Sequence, residues 1–296
     1  MLNVRAQNGA RDKGDILARL LRDPRHYQIL ILASLIGLGV FRFGFDIPWW
    51  HAAGVIGAAL LTQLVFDRLL GRWFDFRSPL ISSMSLTMLL RTGSISLSIL
   101  AGFLAIASKY LIRVRGKHVF NPANFAIVLT ALAFNGAWVS PGQWGTAPLL
   151  ALWVAGLGVL VTSRAKSLDL TAGFLASFAA LVLGRALWLG DPLAIPLHQL
   201  QSGALLIFAF FMISDPKTTP NARIARLVYA AMVALVGFIL QFFFYLSAGV
   251  IYALIVTAPL VPLFDRMFPA KAYQWPTHTH NNLKGVSHEN LSKTLS

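Results

Sequence analysis

Phe208-Ala-Phe-Phe-Met-Ile213 runs directly into Ser214-Asp-Pro-Lys-Thr-Thr-Pro220. An apolar run ends there in a polar box holding the carboxylate of Asp215, the ammonium of Lys217 and the hydroxyls of Thr218 and Thr219. Pro216 and Pro220 remove two backbone donors and disfavour helix at the residues before them, so carbonyls are left that no following turn can satisfy. Irregular backbone at membrane depth must be buried in protein or line a water-filled cavity. The junction therefore reads as a broken helix at a ligand site.

The rest of the chain supplies the membrane. Of 296 residues, 56% are hydrophobic and 12% charged, and the mean hydropathy is +0.66. Such a composition belongs to a polytopic membrane protein. The net charge of +14 is dispersed between apolar runs and forms no single patch, which argues for membrane topology and against nucleic-acid binding. Cysteine is absent, so this chain by itself builds neither a disulfide nor a cysteine-ligated iron–sulfur cluster. Residues 1–26 carry six basic side chains, Arg5, Arg11, Lys13, Arg19, Arg22 and Arg25, and are expected to form a cytoplasmic arm. Ile16, Leu17, Leu20 and Leu21 recur within it at the spacing of an interfacial helix.

Apolar runs bounded by charge, Pro or Gly cover about 27–45, 47–66, 79–90, 93–112, 121–135, 147–163, 168–189, 195–213, 227–246 and 248–264. Ten runs put both termini on one side. With the N-terminus inside, only Arg42, Arg91 and Arg185 of the 25 Lys and Arg residues fall outside, as the positive-inside rule requires. Run 79–90 would extend about 18 Å as a helix, short of the roughly 30 Å hydrocarbon core, and is expected to be a half-helix. Its hydroxyls, Ser82, Ser83, Ser85 and Thr87, either line an internal cavity or bond back to their own helix.

The halves echo each other. A short run ends at Arg91-Thr92-Gly93, a long helix follows, and Phe120-Asn-Pro-Ala123 opens run five; run eight ends at Ser214-Asp-Pro, a long helix follows, and Leu246-Ser-Ala-Gly249 opens run ten. An odd number of spans per repeat makes the repeats inverted, an architecture whose broken segments meet near the midplane and build the binding site. The expected fold is all-α, with about ten transmembrane segments in two inverted five-segment repeats and short or broken helices. The expected divisions are a basic arm (1–26), a first repeat (27–135), an external loop (136–146), a second repeat (147–266) and a cytoplasmic polar tail (267–296).

None of the eleven acidic residues lies mid-span, which weighs against an independent proton-coupled carrier. His26, His51, His118 and His198 are split between the two sides, so a bis-His haem is disfavoured, and His278-Thr-His280 falls in the polar tail. No metal site and no catalytic residue is assigned. The uncharged loop from Asn135 to Pro148 holds Trp138 and Trp144, suited to the interface or to stacking on a planar ligand beside Ser140 and Thr146.

Phe120-Asn-Pro-Ala123, Gly145-Thr-Ala-Pro-Leu149, Ser214-Asp-Pro-Lys-Thr-Thr-Pro220 and Pro262-Leu-Phe-Asp265 together resemble the membrane subunits RnfD and NqrB, of the Rnf electron-transport complex and the sodium-translocating NADH:quinone oxidoreductase. The resemblance spans roughly residues 25–270. It implies an inverted-repeat fold, FMN as cofactor, other membrane subunits of a redox complex as partners with a quinone as candidate redox partner, and a multi-pass protein of the inner (cytoplasmic) membrane with both termini cytoplasmic. That family carries Ser/Thr-Gly-Ala-Thr, whose last threonine takes FMN through a phosphodiester. Here Trp144-Gly-Thr-Ala-Pro148 offers Thr146 one position early, leaving covalent and noncovalent flavin both open.

The candidate cofactor-binding residues are accordingly Thr146, Asn121, Asp215, Lys217, Thr218 and Thr219. Asn121 is expected to cap a half-helix facing the polar box. The expected function is a flavin-binding membrane subunit that passes electrons within an ion-translocating complex and is not catalytic alone. The alternatives are a small-solute channel or carrier of the same fold, and a stand-alone RnfD-like protein of a biosynthetic pathway. Nothing resembles a nucleotide-binding glycine loop, so oxidation of NADH or ferredoxin falls to a partner.

Overall fold

Each of the ten apolar runs folds as helix, whole or interrupted. The structure, a computed structural model, describes residues 23–140 and 148–273; the expected interfacial helix at 16–21, Thr146 and His278-Thr-His280 lie outside the described residues. Pro24–Ala272 pack as one unit.

In chain order the helices are α1 (Pro24–Arg42), α2 (Trp49–Leu69), α3 (Arg77–Leu89), α4 (Ile95–Leu111), α5 (Pro122–Ala133), α6 (Pro148–Arg164), α7 (Leu168–Leu189), α8 (Ala194–Leu200), α9 (Gly203–Ile207), α10 (Arg223–Phe242), α11 (Gly249–Thr257) and α12 (Val261–Met267). A π-helical segment, Phe208–Met212, continues α9, and a 3₁₀ turn, Ala258–Leu260, joins α11 to α12. Two short antiparallel ladders complete the described elements. β1 (Leu90–Thr92) pairs with β4 (Ala137–Val139), and β2 (Arg113–Val114) with β3 (Lys117–His118).

Among the described residues, four helices are long and apolar enough to cross a membrane: α2, α7, α10 and the continuous stretch Gly249–Met267. The pair Ala194–Leu200 and Gly203–Met212, bent by 43°, makes a fifth if taken as one span. Large apolar side chains such as Leu61, Leu132, Leu152, Leu187 and Trp188 stay exposed, which in this composition marks a lipid-facing surface. The chain is thus a mostly helical, polytopic membrane protein. α3 has 13 residues, in keeping with its reading as a short helix. Two of its hydroxyls do bond back, Thr87 Oγ1 to the Ser83 carbonyl at 2.8 Å and Ser83 Oγ to that of Leu80 at 3.0 Å, whereas the buried Ser85 Oγ has no partner.

Small residues set the closest helix contacts. A Cβ at Gly102 of α4 would sit 2.4 Å from the Val55 carbonyl oxygen of α2, and one at Gly249 would sit 2.8 Å from that of Gly237. Run eight departs from a single helix: it breaks at Gln201–Ser202 and then widens at Phe208–Met212. The widening seats Phe208 against Phe174, ring centroids 5.1 Å apart, and packs Phe210 over Gly158 of α6.

Substituting Gly102→Ala is expected to lower the unfolding midpoint in detergent, at a cost of about 1–3 kcal/mol, because backbone must move to admit the methyl group. Gly57→Ala, on a surface with nothing within 4 Å of the new Cβ, should change stability by less than ~0.5 kcal/mol. Equal shifts in thermal unfolding would refute this packing of α2 on α4.

Candidate functional site

The polar box follows directly from the widened helix. In the π segment the Ile213 N–H reaches back five residues to the Phe208 carbonyl at 3.0 Å, so the ordinary pairing is shifted and neighbouring carbonyls need other donors. Three side chains supply them. Thr171 Oγ1 of α7 donates to the Ala209 carbonyl at 2.8 Å, Ser214 Oγ to that of Phe210, and Asn121 Nδ2 to that of Met212 at 3.2 Å.

Asn121 serves both broken helices. Its Oδ1 accepts the Asn124 backbone N–H at 3.1 Å, closing the N-terminus of α5 with Pro122 at the first helical position, where a missing donor is harmless. Asn124 then donates from Nδ2 to the Ile251 carbonyl of α11 at 2.8 Å, joining the two halves of the chain. Its buried Oδ1 has no partner.

Within the box, Asp215 organises the turn. Its Oδ1 accepts the Lys217 N–H at 3.0 Å, and its carbonyl accepts the Thr218 and Thr219 hydroxyls at 3.3 and 3.2 Å. His118 Nε2 stands 3.9 Å from Asp215 Oδ2. Burial pushes this carboxyl up, but His118, the Lys217 N–H and the Lys109 charge together outweigh it and hold Asp215 below the ordinary carboxylate value. Burial also lowers Lys217, assisted by Lys117, Arg25 and Arg113 and opposed by Asp215.

Lys117, not singled out as a site residue from the sequence, clamps the box. It reaches over on the β2–β3 hairpin, whose turn residues Arg115 and Gly116 both have positive φ, 52° and 79°, the geometry that suits a tight two-residue hairpin. Its ammonium donates to the Thr219 carbonyl, to Asn221 Oδ1 at 3.2 Å and to Asp265 Oδ2 at 3.1 Å. Asp265 Oδ1 accepts the Asn221 N–H at 2.8 Å, and Arg226 ties the Asn221 carbonyl to Asp169, 2.8 and 2.6 Å away. The hairpin, the box, α7, α10 and α12 are so joined by ions.

A second cluster on the same side also escaped sequence reasoning. Gln63 and Tyr110 donate to the two oxygens of Asp67 at 2.8 and 2.7 Å, and Lys109 donates to Gln63 Oε1 and Ser78 Oγ at 3.1 and 2.9 Å. The i, i+4 spacing of Gln63 and Asp67 was its one local signal. Among the described residues no group of three or more His, Cys, Asp or Glu side chains forms a metal site.

Asn121, Asp215, Lys217, Thr218 and Thr219 are therefore brought together, while Thr146 lies outside the described residues. Ser140, the last described residue before Thr146, donates its N–H to the Leu89 carbonyl at 2.9 Å. His51 is buried elsewhere, with Nδ1 3.0 Å from Thr92 Oγ1 and 2.9 Å from Ser98 Oγ; His198 is exposed.

Because the folded Asp215 carboxyl titrates below its unfolded value of 3.8, its stabilising contribution is present above that value and is lost as pH falls through the folded one. Melting temperature should decline on acidification from about pH 5 to 3, and Asp215→Asn should flatten that decline. An unchanged slope in the variant would refute the ion cluster around Asp215. Asn121→Ala, which removes a cap and leaves the Met212 carbonyl short of a donor, is expected to cost about 1–3 kcal/mol in the same assay.

Residues 137–274 match the family model described as the NQR2, RnfD, RnfE family. The D subunit of the ion-translocating oxidoreductase complex of Alcanivorax borkumensis is 25% identical over 314 aligned positions, covering 82% of this chain and 90% of that protein. Proteins of the same name from Escherichia coli and Stutzerimonas stutzeri are 30% and 28% identical over 47% and 51% of this chain. Those two matches span only 35% and 41% of the relatives' own lengths. The matched stretch contains the widened helix, the polar box and Asp265, and over it the chain is similar to the NQR2, RnfD, RnfE family.

Proposed function

We propose that this chain is an integral membrane subunit of an ion-translocating oxidoreductase complex, passing electrons between other membrane subunits and carrying FMN. The observation that carries it is the likeness to the Alcanivorax borkumensis protein along 90% of that protein's length. The packing supports the accompanying architecture of ten segments in two inverted repeats, residues 27–135 and 147–266. Run two packs on run four and run seven on run nine; run four packs on five and nine on ten; run one packs on three and six on eight. These three pairings recur five runs later, as a duplicated unit would have them. The cytoplasmic placement of both termini in the inner membrane rests on the distribution of Lys and Arg.

Asn121, Thr218 and Thr219 also direct side-chain hydrogen bonds to the protein's own backbone, which shapes the junction. The box is proposed to meet a ligand through Asp215, Lys217, Thr218 and Thr219, beside Asn121. The flavin itself is assigned to the loop after Ser140, with Thr146 as its anchor and the half-exposed Trp138 beside the loop's start as a stacking surface. FMN supplies electron transfer when bound; the chain's part is to hold it. A quinone is the proposed small-molecule partner of the complex.

A visible spectrum of the purified chain, co-expressed with a flavin transferase, followed by acid precipitation and intact mass, tests this reading. Flavin bands should accompany the precipitate with one FMN-sized increment that Thr146→Ala removes. Flavin released to the supernatant would reject the anchor, and no flavin at all would reject the cofactor. Failure to co-purify with any other membrane subunit in mild detergent would reject membership of a complex.

A further inference from the structure

A cavity of about 150 Å³ lies where the break between α8 and α9 faces the first turn of α11 and the end of α10. Gln199, Ser202, Gln241 and Ser247 give it two amides and two hydroxyls, and Phe178 and Ile251 give it apolar walls. It stands apart from the polar box: roughly ten helical residues separate Ser202 from Ser214, about 15 Å. Gly249 makes the arrangement possible. A Cβ there would meet the Gln241 backbone nitrogen at 2.9 Å, so only glycine lets α11 approach α10 closely enough to bring Ser247 beside Gln241.

Three features define what fits. A cavity of this volume lined by hydrocarbon alone stays dry and takes a benzene-sized ring. This one carries four polar side chains, none of which makes a side-chain hydrogen bond to the protein among the described residues; Ser202, at the cap position of α9, does not cap. Gln199, Ser202 and Gln241 are half-buried and Ser247 is exposed, so the cavity opens to the surface and presents these groups to a ligand entering from there. No acidic, basic or histidine side chain lines the space, so the partner is neutral. A primary amide both donates and accepts, as does a hydroxyl, so the complementary edge on a ligand is itself an amide, with its body against Phe178.

We infer that the cavity between the α8–α9 break and the start of α11 is a binding site for a neutral carboxamide or lactam no larger than one ring. Ile251 belongs to its wall, and the Ile251 carbonyl holds Asn124 at 2.8 Å. Occupancy is thereby mechanically joined to the half-helix α5 and, through Asn121, to the Met212 carbonyl above the polar box.

The test compares three probes of one shape on the full chain in lipid nanodiscs: benzamide, its anionic isostere benzoate, and toluene, which lacks the polar edge. Saturation-transfer titration should show saturable benzamide binding at least tenfold tighter than either control. Gln199→Leu and Gln241→Leu should each weaken benzamide about tenfold, and Ser247→Phe should abolish its binding by filling the space. Absence of saturable benzamide binding, equal affinity for toluene, tighter binding of benzoate, or glutamine variants that bind unchanged would each overturn the assignment. The three-probe comparison on the unmodified chain decides the matter even where a variant fails to fold.

Discussion

A helix interrupted inside an apolar body must find donors for the carbonyls it frees, and the structure around the Phe208–Pro220 junction answers to that constraint. Leaving such a carbonyl bare in a dry interior costs on the order of 1–3 kcal/mol. The π segment multiplies the demand, since its pairing reaches five residues back and puts neighbouring carbonyls out of register. Thr171, Ser214 and Asn121 meet it from three directions. Because those donors come from α7, from the box itself and from the cap of α5, satisfying one broken helix fixes the position of three other segments.

The charges at the same end serve the same constraint by different means. Lys117 holds the Thr219 carbonyl and Asp265 together, and Arg226 holds Asn221 to Asp169. These are part-buried pairs between segments distant in sequence, where removal of one partner would strand the other at a cost well above that of an exposed surface pair. Asp215, depressed by His118 and the Lys217 N–H against the opposing effect of burial, remains ionised throughout the physiological range. The carboxylate works as a fixed acceptor that shapes the turn, and a proton carrier would need a value far nearer neutrality.

Packing between helices follows from backbone proximity at small residues, as expected where lipid gives little hydrophobic drive for helix association. Gly102 against Val55 and Gly249 against Gly237 are two such places, each admitting the backbone of a neighbouring helix where a larger residue would hold it off. The cavity beside Gln241 depends on one of these approaches.

Much of the helical organisation was legible in the chain itself. Ten apolar runs, the spread of Lys and Arg, the shortness of 79–90 and the prolines of the box depend on composition and local spacing, which water, lipid and the backbone read without knowledge of distant residues. Asn121 as a cap was legible for the same reason, because Asn-Pro at a helix start satisfies orphan donors within one turn. The break at Gln201–Ser202, the π widening, the preference for Lys117 over Lys217 as the cation clamping the box, and the Lys109–Gln63–Asp67–Tyr110 cluster were decided only by tertiary structure. Each joins groups that the sequence holds far apart or leaves equivalent. Lys117 and Thr219 are 102 positions apart, and nothing local distinguishes one lysine's reach from another's until a hairpin turn aims it.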